Sequence, residues 1–161
     1  MSIPGVIEVR YDGKTIFSWG KVRYIHQTAL YSIKKNRFVR AYCFDYRSEL
    51  ACYRLLPNSE FYVFSIDTYS DNPSVHKFSI KKLKIGTWES EKIIEFDTTI
   101  RELESIANDP NAPESLKFFV TKSLNESVFV TDIPEHVQYP PDEIERVREY
   151  LIKKLQSLAE Y

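Results

Sequence analysis

The chain has 161 residues, 43% of them apolar and 14% aromatic, with a formal net charge of −1. That length suits one domain with a core of its own, and the apolar content excludes a disordered chain. Four glycines, with neither a G-x-x-x-x-G-K nor a G-x-G-x-x-G motif, exclude Gly-rich phosphate-loop chemistry.

Val6 to Tyr11 alternates, Asp12-Gly13 is a hairpin turn, and Lys14 to Trp19 returns. Lys21 to Ile33, rich in Val, Tyr, Ile and Thr, supplies another strand, Lys34-Lys35-Asn36 the next turn, and Arg37 to Tyr46 the strand after it. Ser48 to Leu56 suits a strand or a short helix and ends at Pro57-Asn58-Ser59. Glu60 to Asp67 is apolar on both faces through Phe61, Tyr62, Val63, Phe64 and Ile66, which places it centrally in a sheet. Val75 to Ile85 alternates with a phase slip at Lys81-Lys82, the mark of a bulge, and Lys92 to Asp97 is the last strand.

The remainder reads as helical. Thr99 to Glu102 fits a capping box, with Ile100, Leu103 and Ala107 facing one way. After a break at 108–111 a second helix carries Leu116, Phe119, Val120 and Leu124, and Val128 to Val130 is a short extended link. Pro134, Pro140 and Pro141 frame a connector, and a final amphipathic helix runs from about Asp142 to Glu160. The expected fold class is therefore α+β: an N-terminal antiparallel curved sheet or partial barrel followed by three C-terminal helices. The expected organisation is one domain over 1–138 (β-rich 6–97, helical 98–125) with an appended helix over 139–161.

Residues 1–47 hold nine Lys/Arg against Glu8, Asp12 and Asp45, a balance of +6, while the rest balances at −7. This polarity either marks an acidic partner for the basic half or draws the two halves together. The basic half culminates in Ser32 to Arg47, where five cations sit among four aromatics. In a strand, Phe38, Arg40, Tyr42, Phe44 and Tyr46 share one face, either as core or as a binding surface. As a surface, Lys34, Lys35, Arg37, Arg40 and Arg54 would hold phosphates, and Phe38, Tyr42 and Tyr46 would stack on bases. The leading expectation is a non-enzymatic protein that binds single-stranded or distorted nucleic acid.

The run Phe38-Val39-Arg40-Ala41-Tyr42-Cys43, followed by Tyr53-Arg54-Leu55, resembles the paired strands of WYL domains over residues 14–66. The resemblance implies a small SH3-like β-barrel that binds nucleic acid or regulatory ligands, with Arg54 among its basic residues. The chain departs from the family pattern at Ala51, where the family carries its first arginine, and at Pro57-Asn58, where it carries a closing arginine-isoleucine, and it lacks the eponymous tripeptide.

The terminal helix places Ile144, Val147, Leu151, Leu155 and Leu158 on one stripe, under three heptads long. That stripe either docks on the sheet or makes a homodimer, and a scaffold subunit of a larger assembly is the second functional expectation. The third is a metal-dependent nuclease built from Asp45, Asp67, Glu89, Glu91, Glu95 and Asp97 with Lys92 alongside. His26, His76 and His136 lack metal-ligand spacing, and neither a metal nor another cofactor is expected. Cys43 and Cys52, with eight residues between them across a turn, read either as buried free thiols or as a disulfide, and Trp19 and Trp88 as core anchors. The start Met1 to Gly5 does not resemble a signal peptide, and no apolar run approaches the ~20 residues of a membrane span. A cytoplasmic protein without membrane contact is expected. The Lys, Glu and Ile content with few Gly suits a thermophile or its virus.

Overall fold

A computed structural model describes residues 8–11, 14–18, 25–39, 60–84, 89–125 and 137–159. β1 (Glu8–Tyr11) and β2 (Lys14–Ser18) form an antiparallel hairpin, with Tyr11 opposite Lys14. β3 (His26–Ser32), β4 (Arg37–Val39), β5 (Glu60–Thr68), β6 (His76–Lys84) and β7 (Glu89–Thr98) form an open antiparallel sheet. Its order is β4-β3-β5-β6-β7, so β5 is central, as its two apolar faces demand.

One face packs against three helices: α1 (Ile100–Ala107), α2 (Glu114–Leu124) and α3 (Glu143–Ala159). Tyr31, Phe38, Phe64, Ile66, Phe78 and Ile80 meet Leu103, Leu116, Phe119, Val147 and Leu151 in one buried cluster. The protein is thus an α+β fold whose described helices lie on one side of the sheet.

Local chemistry explains the element ends. The Thr99 hydroxyl accepts the Glu102 N–H at 3.2 Å, the expected cap of α1. The β3–β4 turn places Asn36 at φ 53°, a left-handed position that asparagine tolerates, and the Asn36 N–H reaches the Ser32 carbonyl at 2.9 Å. The register shift falls between Ile80 and Lys81, close to the phase slip seen in the sequence. The extra residue is Ile93, on β7 rather than β6: Ile80 faces Ile94 and Lys81 faces Lys92. β6 itself alternates without interruption. Its apolar content changes face because Leu83 is buried on the side away from the helices, as are Phe61 and Val63 across the register and Leu30 beyond them.

Two expectations need correction. Phe38 is 3% exposed and belongs to the core, wedged edge-on against Tyr31 and Phe64, so it offers no stacking platform. Ile144, Val147 and Leu151 are buried in the chain's own core, so the inward stripe of α3 is not a dimer seam. Leu155 is half-buried, and of Leu158 only the helical backbone is described. α3 is accordingly part of the same core as the sheet rather than an appendage to it. None of the described helices is long and apolar enough to cross a membrane.

Candidate nucleic-acid interface

The basic–aromatic run divides at the edge of the described residues. Lys34 and Lys35 are exposed on the β3–β4 turn, and Arg37 is half-buried in β4. Arg40, Tyr42, Tyr46 and Arg54 lie outside the described residues, as do Cys43, Cys52, Trp19, Trp88 and, of the run that resembles a WYL domain, 40–43 and 53–55.

Rings and cations do meet nearby. The core position of Phe38 is the reason: it packs at 5.5 Å against Phe118 and at 6.0 Å, edge-on, against Tyr139. Both of those rings are half-buried and line a cleft of about 1010 Å³ between α2, α3 and the segment 137–140. Tyr150, from α3, lines it as well. Lys117, Lys122 and Lys153 stand on its rim, with Glu114 and Glu149 opposing them. The Lys122 ammonium lies 5.9 Å from the centre of the Phe118 ring, a cation–π distance. Arg146 is held at 2.8 Å by Asp142, the residue just before α3.

The cationic turn is tied to this cleft. Gln138, which lines it, donates from Nε2 to the Lys35 carbonyl at 3.2 Å, and the Tyr139 N–H reaches the Asn36 carbonyl at 2.8 Å. Tyr139 also stacks on Tyr31 at 6.1 Å. Lys34 and Lys35 thus sit on a rigid turn at one edge of an aromatic-lined groove. Burial pushes the Tyr139 hydroxyl up to about 12, so it remains a neutral hydrogen-bonding group across the physiological range. Tyr150 is anchored by donating to Asp109 at 2.6 Å, and Lys154 approaches the same carboxylate at 3.6 Å.

Glu143 closes one end of the cleft. α2 is preceded by Pro113, which supplies no side-chain cap, and the buried Glu143 carboxylate takes the Ser115 backbone N–H instead. A carboxylate at a helix N-terminus is favoured by the helix dipole. Burial nevertheless dominates and raises the Glu143 pKa above its ordinary 4.5. Between those two values the folded chain keeps a proton that the unfolded chain releases. The stability contributed by this group is therefore complete below 4.5 and is lost as pH rises through the folded value. Glu143→Gln keeps an acceptor for Ser115 without the charge. The melting temperature of the natural chain is expected to gain on that of the variant as pH falls from 7 to 4. A difference that stays constant with pH overturns this account.

Among the described residues, the carboxylates expected to gather around a metal form no such group. Asp67, Glu95 and Asp97 share the sheet face away from the helices, but each has another partner: His26 Nδ1 at 3.2 Å, Lys77 at 3.6 Å and the Tyr69 hydroxyl at 2.6 Å, respectively. Among the described residues no three His, Cys, Asp or Glu side chains are grouped to hold a metal ion. Asp45 and His136 lie outside them. His76 is fully buried, its Nδ1 2.9 Å from the Thr68 hydroxyl, and burial lowers its pKa.

Phe118 had a signal in the sequence: it is an aromatic beside the buried stripe of α2, on the side where a solvated residue is expected. Tyr139 and Tyr150 had none, since only the fold brings 137–140 and α3 to α2.

The architecture is that of an α+β protein with an open antiparallel sheet covered on one side by helices. No family model and no curated protein matches the chain. Solved structures do. ORF157 from Acidianus filamentous virus 1 superposes with a TM-score of 0.58 at 20% identity, covering 80% of this chain and 89% of that one. A single-residue variant of the same viral protein gives 0.61 at 19% identity, over 80% of this chain and 89% of that chain. An engineered protein, Northeast Structural Genomics Consortium target OR43, gives 0.60 at 20% identity, over 83% of this chain and 90% of that one. At these identities the likeness is one of fold.

Proposed function

We propose that the protein binds single-stranded nucleic acid in the cleft between α2 and α3. The observation that carries this reading is the convergence of three half-buried rings, Phe118, Tyr139 and Tyr150, with three rim lysines, Lys117, Lys122 and Lys153. Rings accept bases at about 1–3 kcal/mol each, and lysines neutralise phosphates. Lys34 and Lys35, held beside the groove through Gln138, extend the path for the backbone. The reading keeps the basic and aromatic chemistry expected from the sequence but moves the stacking from Phe38 to the two rings it supports.

The test is fluorescence anisotropy of a labelled oligothymidylate at two salt concentrations. Lys117→Ala combined with Lys153→Ala is expected to weaken binding and to flatten the logarithmic salt dependence by about 0.7 per lost contact. Unchanged affinity and slope in the double variant would sink the proposal.

A further inference from the structure

The sheet face away from the helices carries a second constellation, independent of the cleft. In register across β3, β5, β6 and β7, His26, Asp67, Lys77 and Asp97 form one row, and Thr28, Ser65, Ser79 and Glu95 the next. Every carboxylate in these rows already has its own partner: Asp67 has His26, Glu95 has Lys77 and Asp97 accepts from the neutral Tyr69 hydroxyl.

The third row breaks the pattern. The β7 bulge at Ile93 sets Lys92 directly opposite Lys81, with Val63 on the other side of Lys81. Both lysines are exposed, and neither has an ion-pair partner among the described residues. Like charges directly opposite in a sheet repel and destabilise it. A regular ladder would have faced Lys81 with a different residue, so the bulge is the device that creates the pair. Ser90 lies two residues from Lys92, on the same side, and lines with Ser79 and Lys81 a hollow of about 690 Å³.

We infer that Lys81 and Lys92 form a binding site for a phosphate group, with the exposed Ser90 hydroxyl one ladder row away on the same face. Two ammonium groups answer the two charges of a phosphate monoester, and the hydroxyl adds a hydrogen-bond donor. The bound anion removes the cross-strand repulsion, so ligand binding and sheet stability are coupled.

The experiment is thermal unfolding of the full chain in low millimolar inorganic phosphate, against chloride at matched ionic strength, for the natural protein and for Lys92→Glu. The natural protein is expected to show a saturable rise in melting temperature with phosphate, beyond that with chloride. Lys92→Glu is expected to melt higher than the natural protein without phosphate and to lose the phosphate-specific rise. A rise that is equal in chloride, or that persists in Lys92→Glu, overturns the site. In a parallel NMR arm, inorganic phosphate should shift the amides of Lys81, Ser90 and Lys92. An oligonucleotide lacking terminal phosphates shifts the same amides if the phosphate belongs to a polynucleotide backbone, and leaves them in place if it belongs to a free monoester. Shifts confined to other residues in both titrations also overturn the site.

Discussion

Phe38→Ala is expected to cost roughly 3–5 kcal/mol of stability, the range for removing a buried phenylalanine. Domains of this size are stable by only about 5–15 kcal/mol, so the variant should melt far below the natural chain. The magnitude follows from what Phe38 touches. Its ring lies 5.3 Å from Tyr31 and 5.2 Å from Phe64 on the sheet side, and 5.5 Å from Phe118 on the helix side. Truncation leaves a void among four other rings, Tyr139 included, that cannot collapse without moving β4. Urea unfolding by circular dichroism measures the loss. If Phe38 instead stacked on a ligand, its removal would leave stability unchanged and abolish binding; an unfolding midpoint equal to that of the natural chain would return it to the surface. Because Phe118 and Tyr139 rest on Phe38, nucleic-acid affinity should also fall, but only to the extent that those rings lose their positions. Below the new melting temperature the salt slope should be unchanged, since no cation has been removed.

The same ring shows what the sequence could and could not settle. Period and turn chemistry are local, and they were legible: the Asp-Gly hairpin, the Thr99 cap and the centrality of β5 all follow from residues within a few positions of one another. The stripe Leu116, Phe119, Val120 on α2 is buried as its spacing requires, with Leu124 half-buried at the end. Alternation also assigned Phe38 to one face of a strand. Whether that face looks inward is not a local property. It depends on where α2 and segment 137–140 come to rest, roughly 80 to 100 residues further along the chain. The phase slip at Lys81-Lys82 points to a bulge on β6, whereas the extra residue is Ile93 of β7, because an apolar residue changing sides looks the same whether the strand slips or the far face acquires its own apolar cover. The cleft was invisible for a similar reason. Its rings come from two helices and a connector, and no spacing in the sequence joins Phe118 to Tyr150.

The second large effect is expected from the terminal helix. Leu151→Ala should cost about 2–5 kcal/mol, the usual range for a buried leucine. Leu155→Ala should cost clearly less, because Leu155 is only half-buried while Leu151 is fully enclosed. A stripe of Ile, Val and Leu on one helix face is equally suited to packing on a sheet or on a second copy of itself, and the sequence alone leaves both open. The core decides between them. Val147 and Leu151 have no exposed surface and share one cluster with Phe64, Phe78 and Phe119, so that face has nothing left to offer a partner. Sedimentation provides the discriminating readout. If the stripe belongs to the core, Leu151→Ala lowers the unfolding midpoint by the same amount at every protein concentration and leaves the mass of the folded species unchanged. A midpoint that depends on concentration in the natural chain, with a smaller mass for Leu151→Ala, would instead place the stripe between two copies. It would also require α3 to leave the sheet, which would expose Phe119 and dismantle the cleft, so binding to oligothymidylate should be lost in the same variant.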